Sequence, residues 1–68
     1  MQNQTMPRVG YDNVAFEQDG MRIVGTVIGI DDDGTLLVGN AYFDVIWNVP
    51  VDQATTTEEP MSRPPADY

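Results

Sequence analysis

The sequence predicts an all-β fold: a small four-stranded antiparallel meander, closed or nearly closed as a barrel, with an extended N-terminal arm and a C-terminal tail. Three observations predict it. The stretch from Met21 to Val49 holds most of the large apolar side chains. Its apolar residues are mainly β-branched, which suits a pleated strand better than a helix. The apolar runs are cut by turn dipeptides, Asp19-Gly20 and Asp33-Gly34.

The elements follow in chain order. Residues 1–10 are polar with Pro7 and Gly10 as breakers, and read as the arm. Residues 11–17 carry Val14 and Phe16 two apart, the spacing of a half-buried strand. Residues 21–31 form the strongest strand, in which Ile23, Val24, Thr26, Val27, Ile28 and Ile30 are all β-branched. Gly25 and Gly29 interrupt it, and glycines inside a strand mark a bend, a bulge or a close backbone approach. Residues 35–39 give a short strand, and Asn40-Ala41 a turn. Residues 42–49 give the last strand, with Phe43, Val45, Trp47 and Val49 on one face and Tyr42, Asp44, Ile46 and Asn48 on the other. Pro50 stops it.

The two Asp-Gly turns test one another. With a three-residue loop at each, Val14 faces Val24, Ile30 faces Leu36 and Ile28 faces Val38. One apolar face then holds Val14, Phe16, Val24, Ile28, Ile30, Leu36 and Val38. Arg22 falls on the same face, which requires it to lie at the rim with its stem on Phe16. The opposite side gathers Tyr42, Ile46, Ile23, Val27 and Leu37 as an exposed apolar patch, the mark of an interface. The strings GTVIGI, DDDG and FDVIW resemble those of SH3-like small barrels as a class of shape. A shape does not fix a function.

Residues 51–68 differ in kind. They are proline-containing, and their acids Asp52, Glu58, Glu59 and Asp67 meet a single cation, Arg63. The segment is expected to be an extended or disordered acidic tail around a core at residues 11–50, so truncation after Pro50 is expected to leave the core folded.

Composition narrows the function classes. Sixty-eight residues allow one domain. A chain of this size buries only about 60% of its unfolded surface and leans on outside support. With no Cys and no His, disulfides and the commonest zinc and copper ligands are excluded, which leaves a partner or self-association as that support. The net charge is −8, with Arg8, Arg22 and Arg63 as the only cationic side chains. No basic patch exists to contact nucleic-acid phosphates or anionic lipid. No run approaches the roughly 20 apolar residues of a membrane span. The N-terminus has no apolar stretch, so no signal peptide is expected, and the Asn3-Gln4-Thr5 sequon reads as chance.

No constellation points to catalysis, a cofactor or a metal. The Asp31-Asp32-Asp33-Gly34 run fails the calcium-loop pattern, since Gly29 and Asn40 fall where ligands are needed, and reads as a hairpin turn. The lone Ser62 has no His to activate it. The expectation is therefore a non-enzymatic accessory or interaction subunit of a large assembly, a decoration, cement or connector protein of a phage or virus particle, located in the virion or the host cytoplasm. Tyr42, Ile46, Glu58, Glu59, Met61 and Tyr68 are the expected partner-binding residues. Met61 and Tyr68 are the apolar anchors of the tail, and Glu58 and Glu59 face basic groups. Two alternatives stand beside it: an acidic nucleic-acid mimic that inhibits a host enzyme, and a small peptide-binding adaptor.

Overall fold

The computed structural model describes residues 7–64, so residues 1–6 and 65–68, Tyr68 among them, lie outside the described residues. The fold is all-β: a five-stranded antiparallel open sheet in the order β4-β3-β2-β1-β5. The strands are β1 (Asn13–Gln18), β2 (Met21–Ile30), β3 (Thr35–Asn40), β4 (Val45–Pro50) and β5 (Thr55–Thr57), with one 3₁₀ turn at Val51–Gln53. The fifth strand was not expected. It comes from the segment read as a tail, and it pairs with β1, Val14 lying opposite Thr56.

One side of the sheet carries the core. Val14 and Phe16 of β1, Ile23 and Val27 of β2, Leu36 and Val38 of β3 and Val49 of β4 form one buried cluster. Trp47, Val51 and Ala54 pack against it. Trp47 meets Phe16 edge-on at 5.4 Å between ring centroids, and Phe43 at 5.9 Å. Both spacings suit the aromatic quadrupole.

The two Asp-Gly turns are not alike. At the second, Asp31 N–H donates to Thr35 O and Gly34 N–H to Asp31 O, and Gly34 has φ +89°: the expected three-residue loop, with Ile30 opposite Leu36. Gly34→Val should therefore cost about 1–2 kcal/mol, the penalty of left-handed backbone for a side chain with a Cβ. A urea midpoint equal to the parent's would contradict that geometry.

The first turn has only two residues. Asp19 (φ 52°) and Gly20 (φ 80°) are both left-handed, and Gln18 pairs directly with Met21. This is the type I′ loop that Asp-Gly favours. The register therefore moves by one residue from the expected one: Val14 faces Gly25, and Phe16 faces Ile23. A one-residue slip exchanges the faces. Ile23 enters the core, and Arg22 leaves the apolar face where it fitted badly. Further along β2 the pairing shifts again between Val27 and Gly29, so that Val27, not Ile28, lies opposite Val38. Val27 is wholly buried and Ile28 exposed. Ile23 and Val27 thus belong to the core and not to the outward patch.

The last hairpin also differs. Tyr42 lies in the loop before β4, not in the strand. Asp44 N–H donates to Asn40 O and Asp44 is left-handed (φ 59°), which closes the 41–44 loop.

Candidate functional site

Asn40 is where the outer surface of the sheet is assembled. It ends β3 and is 2% exposed, the one buried polar side chain among the described residues. A buried amide is costly unless its hydrogen bonds are made. Here its Nδ2 donates to Val24 O and to Ser62 O, each at 3.0 Å. Its Oδ1 accepts from Tyr42 N–H at 2.8 Å and Phe43 N–H at 3.2 Å. The full donor and acceptor capacity of the amide is thus used. One side chain ties β2, the 41–44 loop and the C-terminal segment together.

That segment does not hang free after β5. It crosses the outer side of β1 and β2 as a strap. Asn13 Nδ2 donates to Glu59 O at 3.1 Å. Arg22 grips Glu59 with two bonds, Nη1 to Oε1 at 2.6 Å and Nη2 to Oε2 at 2.9 Å. Ser62 then occupies the gap that opens where β3 ends. Its Oγ accepts from Val24 N–H at 2.8 Å, and its N–H donates to Val24 O at 3.0 Å. The backbone of β2 keeps its partners there, as an enclosed strand must. Ala15 and Val24, paired across β1 and β2, are buried on this side.

Next to the strap lies a groove of about 490 Å³. Thr26, Gly39 and Ile46 form one row across β2, β3 and β4. Gly39 has no side chain, so the middle of the row is a floor. The Ile28 side chain leans over it, its Cδ1 3.4 Å from where a Cβ would stand. Ile46 and Val45 make the far wall, and Met61 of the strap closes one end. Ile46 is 63% exposed and Tyr42 50%. The Arg63 guanidinium stands 4.8 Å over the Tyr42 ring, a cation–π contact beside the groove.

The expected partner-binding residues fall into three groups. Ile46 and Met61 line the groove, and Tyr42 stands next to it in the loop. Glu58 is exposed, while the Glu59 carboxylate is engaged by Arg22 of the same chain. Tyr68 is outside the described residues. Asn40, Arg22 and Ser62 were not among the expected site residues. The misfit of Arg22 on an apolar face was the one available signal for its true position.

The remaining charges are local. Arg8 pairs with Asp12 at 3.0 Å and covers the Tyr11 ring. Asp33 accepts from Thr35 N–H, which holds its carboxyl below the ordinary value. Among the described residues no three His, Cys, Asp or Glu side chains gather as a metal site. Among the described residues no helix is long and apolar enough to cross a membrane.

The Arg22 hydrogen bonds also hold the Glu59 carboxyl below its ordinary value. The contribution of this pair is full above the unfolded-state value and is lost as pH falls through the lower, folded one. In a carboxyl-carbon NMR titration, Glu59 should therefore titrate below the free-peptide range, and Arg22→Gln should return it there. An unchanged titration in Arg22→Gln would show that the pair does not hold the strap in solution.

No protein-family model, no curated protein and no solved structure matches this chain.

Proposed function

We propose that the protein is a non-enzymatic interaction subunit of a large assembly, an accessory protein of the decoration, cement or connector kind in a phage or virus particle. The observation that carries this reading is the groove: a contiguous apolar surface between Ile28, Ile46 and Met61 on a small chain of net charge −8. Exposed apolar surface of this kind is a place for another protein. Strands β2, β3 and β4 form the groove, and the strap, bonded to Arg22 and Asn40, sets the position of Met61. The proposed scaffold is an SH3-like small barrel left open between β4 and β5; the strand order and the 3₁₀ turn between those two strands favour it.

A nucleic-acid mimic finds less support. Its carboxylates should run along one face like phosphates, whereas Asp19 and Asp31–Asp33 sit in the turns at opposite ends of the ten-residue β2. The test is density-gradient purification of particles from the source of the chain, with the chain quantified by mass spectrometry. Co-banding at fixed stoichiometry, lost in Ile46→Asp, is the expected result. A chain that stays at the top of the gradient overturns the assembly reading.

A further inference from the structure

We infer that β4 is a pairing edge for a second copy of this chain, joining two five-stranded sheets through antiparallel β4–β4 contact about a two-fold axis. The inference rests on the assembly reading and gives it a specific partner.

The two sheet edges are built differently. β5 is three residues long and runs directly into Glu58 and Glu59. Shortness and charge are the usual protections of an edge. β4 has neither. It is six residues long, and from Val45 to Val49 it carries no charge. Its Pro stands only at the last position. β3 pairs with it along its whole length, and no other described segment hydrogen-bonds to it. Ile46 and Val45 stand exposed along that edge.

Along β4 itself the absence of charge favours a neutral partner strand. A basic partner would seek the carboxylates, which lie in the turns and the strap, whereas β4 is the neutral strip of a strongly acidic chain. A neutral apolar strand fits it, and the chain carries such a strand in β4 itself. A two-fold axis requires the same patch on both copies. Antiparallel pairing centred on Ile46 or Trp47 keeps the two Asp44 residues about 14–20 Å apart along the strands, at about 3.4 Å per residue. That exceeds the Debye length of about 8 Å at physiological ionic strength, so repulsion between the two Asp44 carboxylates is largely screened. Ile46 and Val45 of each copy then extend the groove wall of the other, and the two grooves become one surface.

The experiment is sedimentation equilibrium of the purified chain from about 1 μM to about 1 mM, the range in which a small interface dissociates, with hydrogen exchange at both ends of the range. The expected result is a monomer–dimer equilibrium that tightens as salt rises, because the acidic surfaces repel. The alternate amides of Val45–Val49 that point away from β3 should exchange more slowly in the dimer. Ile46→Lys should be monomeric throughout with an unchanged far-UV spectrum. If that variant misfolds, Asn48→Lys on the same exposed edge replaces it. A parent chain that stays monomeric to the highest concentration overturns the inference. So does a dimer that the Lys variants leave intact, or whose protection lies outside β4. A monomeric chain that still co-bands with particles refutes the pairing alone, and a dimer that never co-bands refutes the assembly reading alone.

Discussion

Cutting the chain after Pro50 should abolish cooperative folding. The cut removes β5, and with it the strand pairing of Asn13, Val14 and Ala15 on one side of β1. It removes Val51 and Ala54, which pack on the core, and the Ser62 and Glu59 bonds that cover the outer side of β2. Each hydrogen bond of the β1–β5 ladder and of Ser62 contributes about 0.5–1.5 kcal/mol, the half-buried Val51 side chain part of the about 1.5–3 kcal/mol of a fully buried one, and the exposed Arg22–Glu59 pair little. A domain of this size has only about 3–10 kcal/mol in total. The lost interactions are therefore comparable to the whole stability. A cut after Thr57 keeps β5 and removes only the strap, so that chain should fold with a melting temperature several degrees lower. Far-UV circular dichroism and thermal melts of the two truncated chains check this. A chain cut after Pro50 that melts like the full one would restore the division into a core ending at residue 50 and a separate tail.

The contrast between segments shows what a sequence displays locally. β2 and β3 were legible almost to the residue, as Met21–Ile30 and Thr35–Asn40 against expected spans of 21–31 and 35–39. Their β-branched runs carry the signal within themselves. β5 is Thr55-Thr56-Thr57 with no large apolar residue, and it is a strand only because β1 lies beside it. Such a partner forty residues away leaves no local trace. The start of β4 was misplaced because Tyr42 and Phe43 continue its alternation. What stops the strand there is the Asn40 amide, which captures their N–H groups. The Ile28 bulge was hidden for a similar reason: β2 is apolar on both sides of it, so periodicity cannot locate the extra residue. Of the groove, Ile46 and Met61 were legible as exposed apolar residues. Its floor was not, because Gly39 contributes by lacking a side chain.

Gly25→Ala should be among the most damaging single substitutions in the protein, at about 3 kcal/mol, the upper end for overpacking a close-packed site. Gly25 sits opposite Val14 in the middle of β2, with Val38 and Gly39 of β3 packed against it. A Cβ there would stand 2.6 Å from Val38 Cγ1 and 2.8 Å from the Gly39 carbonyl oxygen. Val38 is wholly buried and its β-branched side chain is stiff at χ1, and the Gly39 oxygen is backbone. Neither can yield without moving the strand. Gly29→Ala is the matched control. Its Cβ would meet only the half-buried Leu37 side chain, tightly at the free end, Cδ1 at 3.1 Å, and at ordinary contact at Cβ and Cγ. Replacing a Gly at a compatible position also stabilises by about 0.4–1 kcal/mol through the unfolded chain, so the net change at Gly29 should lie near zero. Urea unfolding of both variants at constant m-value separates the two cases. Equal midpoints would mean that β2 and β3 do not approach as closely at Gly25 as described. A double-mutant cycle with Val38→Ala locates the clash: removing the Val38 methyl groups should relieve part of the Gly25→Ala penalty, so the two changes together should cost less than their sum.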